Sequence, residues 1–345
     1  MGESRKYPRI DAFRLIAALF VIAIHTSPLR SYSPYGDFIV TRVLGRVAVP
    51  FFFMVSGFFL YNSKEIGTSK ILNFIKKTTF LYVVSILLYL PVNWYMGYFK
   101  GKMLAFRLLR DIVIDGTMYH LWYLPAAITG AAISFWCFRL LGLRKALIVT
   151  GLLYLLGLLG DSYYGLIENI PGLGSFYKGL FHIMDYTRNG FFMAPLFFLL
   201  GAVIRKYRKT AEKISIWMLL CGILLMTLEA TILRDIGVMR HDSMYISLPL
   251  VMFFLFLLLL KKEGREFKSF RTISMAVYII HPLVIIAVRG ISKPLKLTEY
   301  TVNNSLIHFL VVATGSFLAG TVYYLAANKL TKERGRTHVV YENNK

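Results

Sequence analysis

Charged residues are scarce in this sequence. Only 17% of its 345 residues are Asp, Glu, Lys or Arg, whereas 57% are apolar or aromatic. Soluble domains carry about 25% charged and about 45–50% apolar residues. So few polar groups cannot cover a water-facing surface, which argues against a soluble globular enzyme, a disordered chain and a coiled coil. The composition predicts an integral membrane protein of the cell membrane, in contact with lipid.

Cysteine and the common catalytic motifs are also scarce. The two cysteines, Cys137 and Cys221, lie inside apolar runs, so we expect neither a disulfide framework nor a thiolate metal site. The sequence has no G-x-x-x-x-G-K-[ST] loop, no H-E-x-x-H and no G-x-S-x-G. We therefore expect no metal ion, and neither ATP-driven transport nor zinc-dependent hydrolysis has its usual signal.

Acidic residues are outnumbered by basic ones. There are 18 Asp and Glu against 40 Lys and Arg, a net charge of +22. In a soluble protein this excess would suggest a nucleic-acid partner. Here the basic residues form short clusters between apolar runs, as expected for anchoring to an anionic leaflet, and we expect no nucleic-acid partner.

Long apolar runs recur along the whole chain. Each is long enough to cross about 30 Å of hydrocarbon as a helix, so the pattern predicts an all-α, polytopic bundle of about ten transmembrane helices. An even number of spans puts both termini on one side of the membrane. The termini and loops of that side hold roughly 25 Lys and Arg, whereas the loops of the opposite side hold roughly 13, which predicts cytoplasmic termini. We expect one membrane domain over 1–330 and a polar tail or linker over 331–345. The predicted spans are 10–27, 45–61, 78–96, 119–141, 144–160, 177–204, 214–233, 244–260, 270–289 and 305–328.

The first predicted span contains Arg14 and His25, which are costly in hydrocarbon unless each meets water, a partner or a ligand. Eleven residues correspond to about three helical turns, so both side chains project from one face about 16 Å apart. This suits a long substrate whose anionic end enters from the cytoplasm. Alternatively, Arg14 pairs with Asp11 or reaches lipid phosphate, and His25 caps the helix end.

The second predicted span contains Arg46, Pro50 and the Ser56-Gly57 step. Pro50 removes a backbone hydrogen bond, which predicts a kinked helix beside a cavity. Ser56 and Gly57 either line that cavity or form a close-packing notch between helices.

Polar residues also mark three later spans. His120 and Trp122 open the fourth span, where Trp122 is alternatively an interfacial belt residue. Residues 240–242, Arg-His-Asp, open the eighth from the same side; the Asp and His could form a base with its orienting carboxylate, although helix neighbours do not point the same way. Tyr278 and His281 share one face of the ninth span, where His281 is alternatively a packing residue.

These motifs together resemble the integral-membrane acyltransferase family 3, in family order and over nearly the whole chain. A second set of segments resembles one branch of it, the membrane domain of VanT-type serine racemases of vancomycin resistance. The first set is Arg14-x10-His25, Arg46 with 50–60, 120–126, 197–204 and 273–283; the second is 160–165, 185–201 and 240–245.

The family resemblance implies a ten-helix bundle that passes an acyl group from cytoplasmic acyl-CoA to an extracytoplasmic hydroxyl, usually of a carbohydrate. It makes Arg14 the holder of the anionic donor and His25 the base that takes the acceptor's proton. The candidate substrate-binding residues are Arg46, Ser56, His120, Trp122, Arg188, Asp242, Tyr278 and His281; Arg46 and Arg188 are expected at the donor or the oxyanion, and His120, Trp122 and Tyr278 along the tunnel.

The branch resemblance implies a different role. In VanT-type proteins a cytoplasmic racemase domain dependent on pyridoxal phosphate follows the membrane part, which is thought to supply L-serine to it. Nothing in this sequence could form the cofactor barrel, so we expect neither pyridoxal phosphate nor racemisation in this chain. Two hypotheses follow: an acyltransferase, or an L-serine permease or anchor for a fused or partner racemase domain. The Arg14 and His25 pair favours the acyltransferase, because a passive anchor gains nothing from holding costly groups in a span.

Overall fold

The structure, a computed structural model, describes residues 7–61, 67–206, 215–261 and 264–342, with only the backbone given over 332–342. The basic residues Arg208, Lys209 and Lys262, which contribute to the predicted cytoplasmic loops, lie outside the described residues, as do residues 343–345 of the predicted tail. Within the described ranges every regular element is helical.

The α-helices follow one another with short connections. In chain order they are α1 (Pro8–Thr26), α2 (Pro34–Phe38), α3 (Ala48–Leu60), α4 (Thr68–Tyr95), α5 (Leu104–Arg110), α6 (Tyr123–Leu159), α7 (Tyr164–Ile167), α8 (Leu173–Ile183), α9 (Ala194–Lys206), α10 (Ile216–Asp235), α11 (Leu248–Leu260), α12 (Lys268–Ser292) and α13 (Ser305–Glu342).

Six helical segments of the described chain are long and apolar enough to cross a membrane. The predicted polytopic helical membrane protein is thereby confirmed, while the number of spans and the side of the termini stay predictions. The six are Pro34–Leu60, Thr68–Tyr95, Tyr123–Leu159, Ile216–Asp235, Lys268–Ser292 and Ser305–Thr331.

The prediction of one continuous span over 177–204 is wrong. Helix α8 ends at Ile183 and α9 begins only at Ala194. The Asn189 side chain stabilises the turn between them, because its Oδ1 accepts from the amides of Phe191 and Phe192 at 2.9 and 3.2 Å. An asparagine that bonds nearby backbone competes with the helix.

The break predicted between 141 and 144 is confirmed. Helix α6 is interrupted at Gly142, whose φ of 72° and ψ of 167° are not helical. Glycine adopts positive φ without a Cβ penalty, so the chain bends there at little cost.

The kink predicted at Pro50 is not found. A π-helical turn, Ile39–Val43, and a 3-10 turn, Leu44–Val47, precede α3, which begins at Ala48. Pro50 therefore lies in the first turn of α3, where backbone N–H groups have no intrahelical acceptor and a missing N–H costs little.

The last helix extends through much of the predicted tail. α13 continues to Glu342, so residues 331–342 are helical. The domain boundary at residue 330 stays a prediction.

The chain divides into two compact units, Met1–Thr41 with Lys262–Lys345, and Arg42–Lys261. In the first unit α1 packs against α12 and α13. Small residues on α1 let the three helices approach one another around a dry core. That core contains Ala18, Ile22, Val277, Ile285, Val312 and Ala313.

In the second unit, α3 and α9 cross with their backbones in contact. A Cβ at Gly57 would collide with the Phe198 carbonyl oxygen, and one at Gly201 would collide with the Met54 carbonyl oxygen. The Ser56 hydroxyl donates to the Phe52 carbonyl of its own helix at 2.9 Å. The Ser56-Gly57 step thus forms the close-packing notch that the sequence left as one alternative.

Candidate functional site

Helix α1 holds Arg14 and His25 on one unbroken helix. The two side chains therefore project from nearly the same face about 16 Å apart, as their spacing predicts. His25 lies in the last turn, just before Ser27, which ends the helix with a φ of 50°. The roles predicted for Arg14 and His25 stay predictions.

Arg14 lies in an ion-pair network around the buried Asp11. Arg14 Nε is 3.6 Å from Asp11 Oδ1, so the pairing that the sequence offered as an alternative is present. Arg271 binds the same carboxylate through two nitrogens, at 2.8 and 3.2 Å, and also pairs with Glu266. Because Arg271 already neutralises much of the negative charge of Asp11, the positive charge of Arg14 is only partly compensated by that carboxylate.

His25 stacks against His281 of α12. Their ring centroids are 5.4 Å apart and the rings are inclined by 24°. His281 Nδ1 lies 2.9 Å from the Tyr278 carbonyl oxygen and 3.1 Å from that of Val277. A carbonyl only accepts, so Nδ1 carries the proton and Nε2 carries the lone pair when the ring is neutral. Two residues predicted on separate spans, His25 and His281, are thus brought together, with Tyr278 contributing its backbone.

A polar cavity of about 380 Å³ opens beside His25. His308 is almost fully buried in its wall; its Nδ1 contacts the Thr301 carbonyl at 3.0 Å, and its Nε2 has no hydrogen-bond partner among the described residues. Sequence reasoning missed His308, although a histidine inside an apolar run was a usable signal. The other lining residues are Thr26, Ser27, Arg30, Ser31, Arg289, Val302, Asn303 and Ser305.

In the second unit, Asp242 forms an ion pair with the buried Arg46 and lies 3.6 Å from Arg42. Burial alone would raise the pKa of Asp242, but the charges of Arg46 and Arg42 outweigh burial and hold it below its usual value. The neighbouring His241 faces the Tyr186 ring, with centroids 4.5 Å apart. Asp242 therefore neutralises arginine rather than orienting His241.

Burial and neighbouring arginines keep His241 neutral. Burial, and then the charges of Arg240 and Arg188, lower the pKa of His241 to about 4. At neutral pH this imidazole is uncharged, and its surroundings oppose the imidazolium that a general base must form.

Arg188 joins the same cluster. Its Nη1 donates to the Ser243 hydroxyl at 3.1 Å, and its guanidinium lies 4.2 Å from the Tyr186 ring centroid and 5.1 Å from that of Trp122. Burial, and then the charge of Arg46, lower the pKa of Arg188 to about 10. Trp122 therefore binds Arg188 through a cation–π contact instead of serving only as an interfacial residue.

Asp161 organises the loop that carries Asp242. Its fully buried Oδ1 accepts from the amides of Ser243 and Met244 at 2.7 and 3.0 Å and from the Ser162 hydroxyl. Burial raises the pKa of Asp161 in spite of the Ser243 amide and the nearby Arg188. The sequence signalled this residue only through the segment 160–165, and its role was missed.

His120 is almost fully buried and packs edge-on against the rings of Tyr89 and Tyr119, with centroids 4.9 and 5.5 Å away. These contacts are those of a packing residue. The substrate-binding roles predicted for His120 and Ser56 stay predictions. Among the described residues, no three His, Cys, Asp or Glu side chains come together as a metal site would require.

The helices and their buried polar clusters define a multi-pass membrane protein. An acyltransferase domain model, that of acyltransferase family 3, matches residues 7–325, so the chain belongs to this family. The family resemblance is thereby confirmed.

Curated relatives carry racemase names. The chain is 43% identical over 342 residues to an amino-acid racemase of Enterococcus faecalis, an alignment that covers 97% of this chain and 47% of the relative. It is 37% identical over 311 residues to a serine/alanine racemase of Enterococcus gallinarum, an alignment that covers 88% of this chain and 44% of the relative. The chain thus spans about half the length of the curated relatives it matches. No solved structure matches it.

Proposed function

We propose that this chain transfers an acyl group from cytoplasmic acyl-CoA to a hydroxyl of an extracytoplasmic acceptor. The observation that carries the proposal is the position of His25. It lines a polar cavity of about 380 Å³ at one end of a helix that bears Arg14 about three turns earlier on nearly the same face. A base beside a polar cavity and a cation further along the helix suit an acceptor and an anionic donor.

The chemistry uses His25 as a general base. Its neutral imidazole takes the hydroxyl proton of the acceptor while the acceptor oxygen attacks the thioester carbonyl. The tetrahedral intermediate collapses with cleavage of the carbon–sulfur bond, and the CoA thiolate leaves and receives the proton from the imidazolium. The stacked His281 ring holds the plane of His25.

Arg14 serves the anionic part of the donor. It shares Asp11 with Arg271, so an incoming phosphate competes only with a carboxylate that a second arginine already holds. Arginine binds phosphate with several donors in a fixed plane, which suits this role.

A second candidate function is supply of L-serine to a racemase domain. It is supported by relatives named amino-acid racemase and serine/alanine racemase, of which this chain matches about half. In this case the polar clusters bind an amino acid on its way across the membrane, and a fused or partner domain performs the racemisation.

Purified protein in proteoliposomes separates the two candidates. Release of CoA from acetyl-CoA, measured with a panel of carbohydrate and amino-acid acceptors, is expected for the acyltransferase. Uptake of labelled L-serine without CoA release would support the supply function instead. If Arg14→Ala and His25→Ala leave both readouts unchanged, these two residues form no shared site and the proposal is wrong.

A further inference from the structure

The second unit contains a charged cluster that the proposed acyl transfer does not use. We define the arginine cluster as Arg42, Arg46, Asp161, Arg188 and Asp242. Asp161, Arg188 and Asp242 come from three separate segments, 160–165, 185–201 and 240–245. The loop segment from Asp242 to Met244 connects these three residues. Asp161 accepts hydrogen bonds from the Ser243 and Met244 amides, and Arg188 donates to the Ser243 hydroxyl.

The arginine cluster has more positive than negative charge. The cluster contains three guanidinium groups and two carboxylates, and Asp242 already forms ion pairs with both Arg42 and Arg46. Arg188 Nη1 donates a hydrogen bond to the neutral Ser243 hydroxyl. A ligand carboxylate would pair directly with the Arg188 guanidinium.

Three buried atoms of the cluster are without hydrogen-bond partners among the described residues. Two are donors, Nε of Arg46 and Nε of Arg188, and one is an acceptor, Oδ2 of Asp161. Buried polar groups are rarely left unpaired. The donors call for an anionic oxygen, and the acceptor calls for an N–H or O–H group.

We infer that the arginine cluster binds the zwitterion of a free α-amino acid. The carboxylate lies on Arg46 and Arg188, the ammonium group donates to Asp161, and the Trp122 and Tyr186 rings that flank Arg188 form the adjoining wall. Guanidinium groups bind carboxylates with paired, charge-assisted hydrogen bonds. This binding site would serve the second candidate function, the supply of L-serine, and the inference rests on that proposed function. It does not involve His25 or Arg14.

Thermal unfolding of the purified full chain in lipid nanodiscs tests the inference. Each free L-amino acid is added in turn, and any that raises Tm is compared with the carboxylic acid that lacks its amino group and the amine that lacks its carboxylate. We expect at least one amino acid to raise Tm, and both counterparts to bind about tenfold or more weakly, because each loses a charge-assisted contact. If no amino acid raises Tm, or if the deaminated acid binds equally well, the inference is wrong.

Variants locate the binding. Arg188→Gln and Asp161→Asn should each weaken binding about tenfold or more; asparagine keeps an oxygen for the Ser243 and Met244 amides, so the loop is retained. Arg139→Gln is the matched control, since Arg139 also lies over aromatic rings, those of Phe135 and Trp136, but outside the cluster. If Asp161→Asn does not fold, Arg188→Lys, which keeps the charge but loses the planar fork, takes its place. Unchanged affinity in Arg188→Gln would overturn the inference.

A further variant separates this inference from acyl transfer. His25→Gln should retain amino-acid binding whether or not it releases CoA. Loss of amino-acid binding in His25→Gln would place the amino acid at α1 and contradict binding in the arginine cluster.

Discussion

The stacked imidazoles of His25 and His281 show how one residue positions another. His281 is fixed by its own backbone contacts and offers a flat face to His25. Small displacements of a catalytic group cost large factors in rate. A flat ring should therefore be needed at position 281 even if its nitrogens take no part in the reaction.

Replacing His281 tests this positioning role. His281→Ala should lower kcat for CoA release by about 10- to 100-fold with a smaller effect on KM, and His281→Phe, which keeps a flat ring, should recover much of the loss. Steady-state kinetics of the two variants provide the measurement. Equal kcat losses in both would show that the imidazole nitrogens, not the stacking, are what matters.

Asp242 is the counter-charge of the buried Arg46. Asp242→Asn should lower the free energy of unfolding by about 3 kcal/mol, at the low end for a buried pair, because a quarter of the Asp242 side chain is exposed. Thermal unfolding measures the loss, and Asp235→Asn, at an exposed carboxylate, serves as the control. Since the folded pKa of Asp242 lies below its usual value, its contribution is present above about pH 4 and disappears as the pH falls through the folded pKa. A variant as stable as the control would show that Arg46 does not depend on Asp242.

Residue-level chemistry was only partly predictable from sequence. The shared face of Arg14 and His25 follows from helix geometry, which is local. The pairing of Arg46 with Asp242 joins residues 196 positions apart. Asp161 likewise binds the backbone amides of a loop that is distant in sequence, at Ser243 and Met244. Both arise from tertiary packing, which periodicity does not encode.

At the scale of elements, the crossing of α3 and α9 depends on Gly57 and Gly201. Gly57→Ala should destabilise the second unit by about 2–3 kcal/mol or more, because its Cβ would meet the fixed Phe198 backbone. Gly151→Ala is the matched control in α6, where nothing lies within 4 Å, and should be neutral or stabilising by up to about 1 kcal/mol. Denaturant or thermal unfolding in detergent gives both values. Equal effects of the two substitutions would contradict the close backbone approach.

The π-helical turn Asp111–Asp115 contains a pH-sensitive carboxylate. Burial raises the pKa of Asp115 to about 6, although the Asp185 amide opposes the shift. A raised folded pKa means that this residue's stabilising contribution is complete below its usual pKa, about 4, and is lost as the pH rises towards 6.

Asp115→Asn should remove that dependence. The wild-type free energy of unfolding should fall by about 2 kcal/mol between pH 4 and pH 7 relative to the variant. Thermal unfolding across this range provides the comparison. If the two proteins show parallel profiles, the pKa of Asp115 does not differ between the folded and unfolded chain, and the argument from burial is wrong.

Elements were predicted well where composition changes and poorly where it does not. The break at Gly142 lies between basic residues and was found. The region 177–204 is apolar almost throughout, so hydrophobicity did not reveal the turn that Asn189 stabilises. Pro50 was misjudged because the start of α3 is set by the turns that precede it rather than by proline itself.

At the scale of the whole molecule, the predicted orientation in the membrane determines the side from which acyl-CoA can react. If both termini are cytoplasmic, Arg14 lies towards the cytoplasmic end of α1 and His25 towards the opposite end. Acyl-CoA should then react only from the side that carries the termini. In sealed vesicles of known orientation, acyl-CoA added to the opposite side alone should give no CoA release; release from that side would contradict the orientation or the assigned roles.

CoA release by His25→Gln is the most direct measurement of the central claim. Sealed proteoliposomes with acyl-CoA on the side of the termini are compared for wild type, His25→Gln and His182→Gln, the last being an exposed histidine of α8. We predict that wild type and His182→Gln release CoA at similar rates, and that His25→Gln is slower by about 10²–10⁴, the usual contribution of a general base. Release by His25→Gln at the wild-type rate would contradict the account.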